Sequence, residues 1–112
     1  MKFILSIASI SLIVGNTAAI CPGFNFGIGN VQPLGNGFNR WSVFDDSCNV
    51  VDSLTTNKNP CTQGIFACSP APILFTGYTN TFTGLKYACR TDSRSGKCGG
   101  TVISVCCRND GK

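Results

Sequence analysis

The chain predicts a small all-β domain, a disulfide-stapled sandwich or barrel, on three observations. Apolar residues recur at every second position in several short runs. Glycine- and proline-bearing turns separate those runs. Eight cysteines are spread over a short chain. No segment of the chain after residue 19 carries a clear helical period over three turns.

The runs follow in order. Phe24, Phe26 and Ile28 alternate with Asn25 and Gly27, and Trp41 and Val43 alternate with Arg40 and Ser42. Ile73 and Phe75 form a third run. Leu85, Tyr87 and Cys89 form a fourth, and Thr101, Ile103, Val105 and Cys107 form the last. Alternation of this kind puts one face of a strand inward. Turns are expected at Gly35–Gly37, Asn57–Pro60, Ser69–Pro72, Gly77–Asn80 and Ser95–Lys97. One short helix is allowed over Asp46–Leu54. The Gly-Phe stretch from Gly23 to Gly29 is expected to be paired, because Cys21 ties down the chain just before it.

The first nineteen residues read as a secretory signal. Lys2 precedes an apolar run through Ile10, Leu12, Ile13 and Val14, and the small residues Thr17, Ala18 and Ala19 follow. The run is short for a membrane span, which takes about 20 residues. Cleavage is expected after Ala19, leaving residues 20–112 as one domain outside the cell. No stable membrane insertion is expected.

In an oxidising compartment, Cys21, Cys48, Cys61, Cys68, Cys89, Cys98, Cys106 and Cys107 read as four disulfides. Their spacing lacks the close C-x2-C pairs and histidines of zinc sites, so no metal is expected. Eight cysteines allow 105 pairings by count alone. The neighbours Cys106 and Cys107 narrow the picture. On a strand they point to opposite faces, so the last strand should be clamped from both sides.

The cysteine order matches neither hydrophobins, which have two internal Cys-Cys pairs, nor plant lipid-transfer proteins, nor knottins. Signal, length, cysteine number and low charge resemble the small secreted cysteine-rich proteins of filamentous fungi. The segments Gly64–Pro70 and Val105–Asp110 share that look. The resemblance implies a secreted, effector-like class and carries over no functional residue.

Composition excludes much chemistry. The chain has no histidine and no glutamate, and its acids are five aspartates. A Ser-His-Asp or Cys-His constellation cannot be built, and the commonest general base is missing. No catalytic residue and no cofactor are expected. Asp45-Asp46 reads as a turn or cap rather than a catalytic pair. The net charge of +4 over the whole chain falls to +3 without Lys2. That is mild and scattered, which argues against a nucleic-acid partner.

Two groups remain as binding candidates. Arg90, Arg94 and Lys97 lie within eight residues between Cys89 and Cys98, a loop suited to an anionic partner. Trp41 and Tyr78 are the aromatics suited to a protein or sugar contact, Tyr78 because a turn is expected around it. The function expected is non-catalytic binding outside the cell, with an extracellular protein or cell-wall polysaccharide as partner. A cationic membrane-active toxin and a wall-associated, surface-active protein are the alternatives. The oligomeric state is left open.

Overall fold

The computed structural model describes residues 19–70 and 74–109. Residues 1–18 of the expected signal, Ile73 of the expected third run, and the last three residues lie outside them. The described chain is all-β, as the alternation predicts. Nine strands form: β1 (Phe26–Gly29), β2 (Gln32–Gly35), β3 (Phe38–Phe44), β4 (Val50–Thr56), β5 (Phe66–Cys68), β6 (Phe75–Thr79), β7 (Lys86–Arg90), β8 (Lys97–Cys98) and β9 (Thr101–Arg108). A 3-10 turn at Pro60–Thr62 is capped by Asn59, whose side chain accepts from the Cys61 amide.

All pairings are antiparallel. β3 has β4 on one edge; β1 and then β2 follow each other along its other edge. β9, the last strand in sequence, inserts between β1 and β7. β6 and β5 continue the sheet beyond β7, while β8 runs beside the start of β9. The sheet curls into an open half-barrel. The β2–β3 turn is the expected one: Asn36 (φ 56°) and Gly37 (φ 82°) both have positive φ, which suits the twist of a tight hairpin.

The curl creates two cores on opposite faces of β1 and β9. The inner one holds Ile28, Val43, Leu54, Phe66, Tyr78, Cys89, Val105 and Cys107. The outer one holds Ile20, Cys21, Phe24, Phe44, Cys98, Ile103 and Cys106. Cys89–Cys107 joins directly opposed residues of β7 and β9 inside the first. Cys21–Cys106 straps the N-terminal segment over the second. The clamping of the last strand from both faces is therefore present. Cys48–Cys98 ties the turn before β4 to β8, and Cys61–Cys68 closes a short local loop.

Three expectations are corrected. Residues Asp46–Leu54 form no helix. The Asp45 carboxylate accepts amide hydrogens from Ser47 and Asn49, Cys48 adopts φ 67°, and the β-branched run that follows enters β4. Thr101, Ile103, Val105 and Cys107 do not share a face. Ile28 pairs with Val105 but Gly29 pairs with Ile103, so Ser104 is an extra residue in β9. This bulge turns Ile103 to the outer core. The Ser104 hydroxyl donates to the Ile28 carbonyl at the bulge (3.0 Å). Phe24 likewise leaves the face of Phe26 and Ile28 and packs in the outer core, after a turn in which its amide donates to the Cys21 carbonyl.

Gly27 is required by close approach. A Cβ there would lie 2.8 Å from Ile103 Cγ2 and 3.0 Å from Cys21 Sγ. Gly27→Ala should therefore cost about 1–3 kcal/mol by overpacking. Gly100→Ala, which meets nothing within 4 Å, should change stability by less than about 0.5 kcal/mol. Denaturant titration of the oxidised protein measures both, and equal costs would contradict the second core.

Candidate functional site

The sequence candidates separate in the folded chain. Tyr78, expected at an exposed turn, lies inside β6 and is 1% exposed. The turn follows it, at Asn80–Gly84. Phe75 and Tyr78 both face inward because Phe75 pairs with Cys68 and Gly77 with Ala67, leaving Thr76 as a bulge. Tyr78 sits among Phe26, Phe66 and Tyr87 at ring separations of 5.8–6.0 Å, so almost none of its surface is open to a partner.

Its hydroxyl donates to Asp52 Oδ2 at 2.7 Å and accepts from the Asn80 amide group at 3.1 Å. Asp52 reaches from β4 and also accepts from the Thr81 amide, the Thr81 hydroxyl and its neighbour's amide at Ser53. Burial pushes the Asp52 carboxyl up, but the donors from Tyr78, Thr81 and Ser53 outweigh it and hold the group below the usual carboxylate range. Burial first, then the adjacent carboxylate, pushes the Tyr78 phenol far above its ordinary value. The cluster is structural: it ties β4 to the β6–β7 loop across the open side of the sheet. Asp45 is consumed in its own turn, chiefly by Asn49, which holds its carboxyl low. Burial raises Asp46.

The basic residues do not form one loop surface. Arg90 ends β7 opposite Cys106, with its guanidinium 5.1 Å from the centroid of the Phe24 ring. Lys97 lies in β8 opposite Val102. Arg94 is ion-paired with Asp92 at 3.8 Å in a turn where Asp92 also accepts the Arg94 amide. Cys89 and Cys98 are bonded to Cys107 and Cys48, so no mutual clamp projects the segment.

Tyr78, with Phe66, Lys86 and Tyr87, lines a more polar recess of about 400 Å³, and Trp41 lines an apolar cleft of about 340 Å³. The cleft lies between the β1–β3–β9 wall and the start of β6. Trp41, Phe75 and the buried Val105 line it, together with Pro60 and the exposed Val31 and Leu74. Trp41 meets Phe75 edge-on at 6.4 Å, and Phe75 stacks on Phe66 at 4.5 Å. The indole is thereby backed by the inner core. Asn30 and Ser104 add polarity, with Ser104 committed to the Ile28 carbonyl. No lining residue is acidic or basic.

Sequence reasoning passed over Val31, isolated between Asn30 and Gln32, and Leu74, the alternate position between Ile73 and Phe75, and treated Phe82 only as a neighbour of Tyr78. All three are exposed. Among the described residues no helix is long and apolar enough to cross a membrane, and no group of three or more His, Cys, Asp or Glu could hold a metal ion. Comparison with known proteins finds no matching family model, no matching curated relative and no matching solved structure.

The Asp52–Tyr78 pair makes stability pH-dependent at both ends. The folded Asp52 carboxyl titrates below its unfolded value near 3.9. Its contribution is present above that pH and is lost as pH falls through the folded value. Tyr78 titrates above its unfolded value near 10, so its contribution is full below pH 10 and is lost as pH rises beyond it. Tyr78→Phe should cost about 1–3 kcal/mol by leaving Asp52 short of a donor. It should also flatten the alkaline limb in thermal melts across pH. An unchanged alkaline limb would contradict the pairing.

Proposed function

We propose that the chain is a secreted, non-catalytic binding module, effector-like in kind, that captures an extracellular protein through the cleft at Trp41. Four disulfides suit a small domain working in an oxidising space. The signal-like N-terminus supports secretion, and the compositional resemblance supports the class. The absence of histidine and glutamate from the sequence, with Asp45 and Asp52 held in structural hydrogen bonds, supports binding over catalysis.

One observation carries the reading. A cleft of about 340 Å³ lined by the aromatics Trp41 and Phe75 and by the exposed Val31 and Leu74 is of a size that takes a large apolar side chain. Trp41, Phe75 and Val105 belong to strands and are backed by stacked rings, so that part of the cleft needs little ordering on binding. A buried anchor of this kind dominates interface energies.

A photo-crosslinking group at position 31 or 74 of the oxidised protein should yield a saturable adduct with one extracellular protein. The same group at the exposed Ser53 should not. Unlabelled protein should compete, and Val31→Asp or Leu74→Asp should compete at least about tenfold less well. Equal competition by those variants would overturn the reading. So would a shift of Trp41 emission on soluble glucan or chitin fragments without any protein adduct, which would make the cleft a sugar site. Trp41 is the chain's one tryptophan, so the emission reports that cleft.

A further inference from the structure

The β6–β7 loop displays its apolar side chains outward and is held rigid while doing so. Phe82 is 80% exposed and Leu85 51%. Neither belongs to the inner or the outer core. Yet the loop backbone is densely bonded. Asn80 Oδ1 accepts the amides of Phe82 and Thr83, and the Asn80 carbonyl accepts the amide of Gly84. The Asn80 amide donates to the Leu85 carbonyl. Thr81 donates twice to the buried Asp52 carboxylate. The bonds from Thr81 to the buried Asp52 carboxylate fix the loop with Phe82 outward.

The strand that leaves this loop carries positive charge on its outer face. Lys86, Ala88 and Arg90 are exposed in alternation along β7, and Arg108 of β9 lies directly opposite Ala88. The Arg90 and Arg108 guanidiniums lie 5.1 and 5.2 Å from the centroid of one Phe24 ring, an arrangement that restrains both side chains. A recess of about 120 Å³ lined by Phe24, Ala88, Arg90 and Arg108 opens there. At about 30 Å³ per water, it has room for a few waters or one phosphate group.

We infer that this loop and strand form a peripheral membrane-docking surface, with Phe82 and Leu85 entering the interface of a bilayer whose anionic head groups meet Lys86, Arg90 and Arg108. Aromatic and leucine side chains beside cations make up the interfacial anchors of membrane-surface elements. The shape favours lipid over protein. A stable protein interface buries about 1,200 Å² or more around its anchors. Phe82 is flanked by Thr81, Thr83 and Gly84, which offer little apolar surround. A fluid interface closes around an isolated tip. This surface is independent of the Trp41 cleft, and the docking is peripheral, with no span crossing the bilayer.

The test is co-sedimentation of the oxidised 20–112 protein with phosphatidylcholine vesicles, with and without phosphatidylserine, at low and high salt. Wild type should pellet with the anionic vesicles at low salt and stay in solution with phosphatidylcholine alone. Phe82→Ser with Leu85→Ser should reduce binding at least about tenfold. Lys86→Gln with Arg90→Gln should reduce it by about fivefold per cation, at about 1 kcal/mol each, and weaken its salt dependence. All four positions are exposed, and unchanged thermal melting confirms that the variants fold. Trp41→Leu should bind vesicles like wild type. Equal pelleting with neutral vesicles, or undiminished binding by the Phe82/Leu85 variant, would overturn the inference. Failure of wild type to bind, with self-association that the same variant abolishes, would overturn it in favour of a second copy of this chain.

Discussion

A strand covered on both faces must be held on both faces, and β9 is that strand. Its adjacent cysteines point opposite ways, Cys107 to Cys89 in the inner core and Cys106 to Cys21 in the outer one. A domain of this size buries too small a share of its surface for one apolar core to hold it alone. Dividing the apolar residues between two thin cores would weaken each further, were the layers not cross-linked through their common strand. The Cys21–Cys106 link joins residues 85 apart in sequence. In the chain-entropy account that closure is worth about 4–5 kcal/mol, a large part of an ordinary domain's net stability.

The other features follow from that strand. The Ser104 bulge places Val105 with Cys107 and Ile103 with Cys106, so each core receives an aliphatic side chain beside its disulfide. Gly27 and Gly29 leave the outer face of β1 bare. The N-terminal segment can then lie against it, fastened by Cys21 and by the Gly96 amide donating to the Ile20 carbonyl. On the inner side, the curl brings β4 toward β6, and Asp52 closes the gap by taking donors from Tyr78 and Thr81. The apolar cleft at Trp41 and the rigid display of Phe82 are both by-products of this curl. One lies where the walls diverge and the other where Asp52 pins the loop.

Particular residues show how far the sequence could be read. Period-two alternation located β1, β3, β7 and β9, because each carries apolar residues at alternate positions toward the inner core. It missed β2, which is exposed at every position, and β5, which is only three residues long. It also missed β4, where the buried positions are Asp52, Leu54 and Thr56. Two of those three are polar, so the apolar signal vanishes although the burial alternation is intact. Among the site candidates, Trp41 was legible as an aromatic at a strand's edge of polarity. Tyr78 was misjudged because Gly77 and Asn80 resemble turn punctuation, whereas Gly77 sits within the strand with its φ in the ordinary range and Asn80 begins the true turn.

By itself the sequence determined the class of the molecule. Alternation, turn residues and cysteine number imply a disulfide-stapled all-β domain, and the missing histidine and glutamate bound its chemistry. These properties depend on which residues are present and on neighbours two apart, and both survive in one dimension. Only the tertiary structure decided which cysteines pair, which residues the bulges move from one face to the other, and which aromatics stay outside. A single extra residue in β9 reverses the facing of every position before it. No local pattern announces that residue, because Ser104 is chosen by the fit of two cores on either side of one strand.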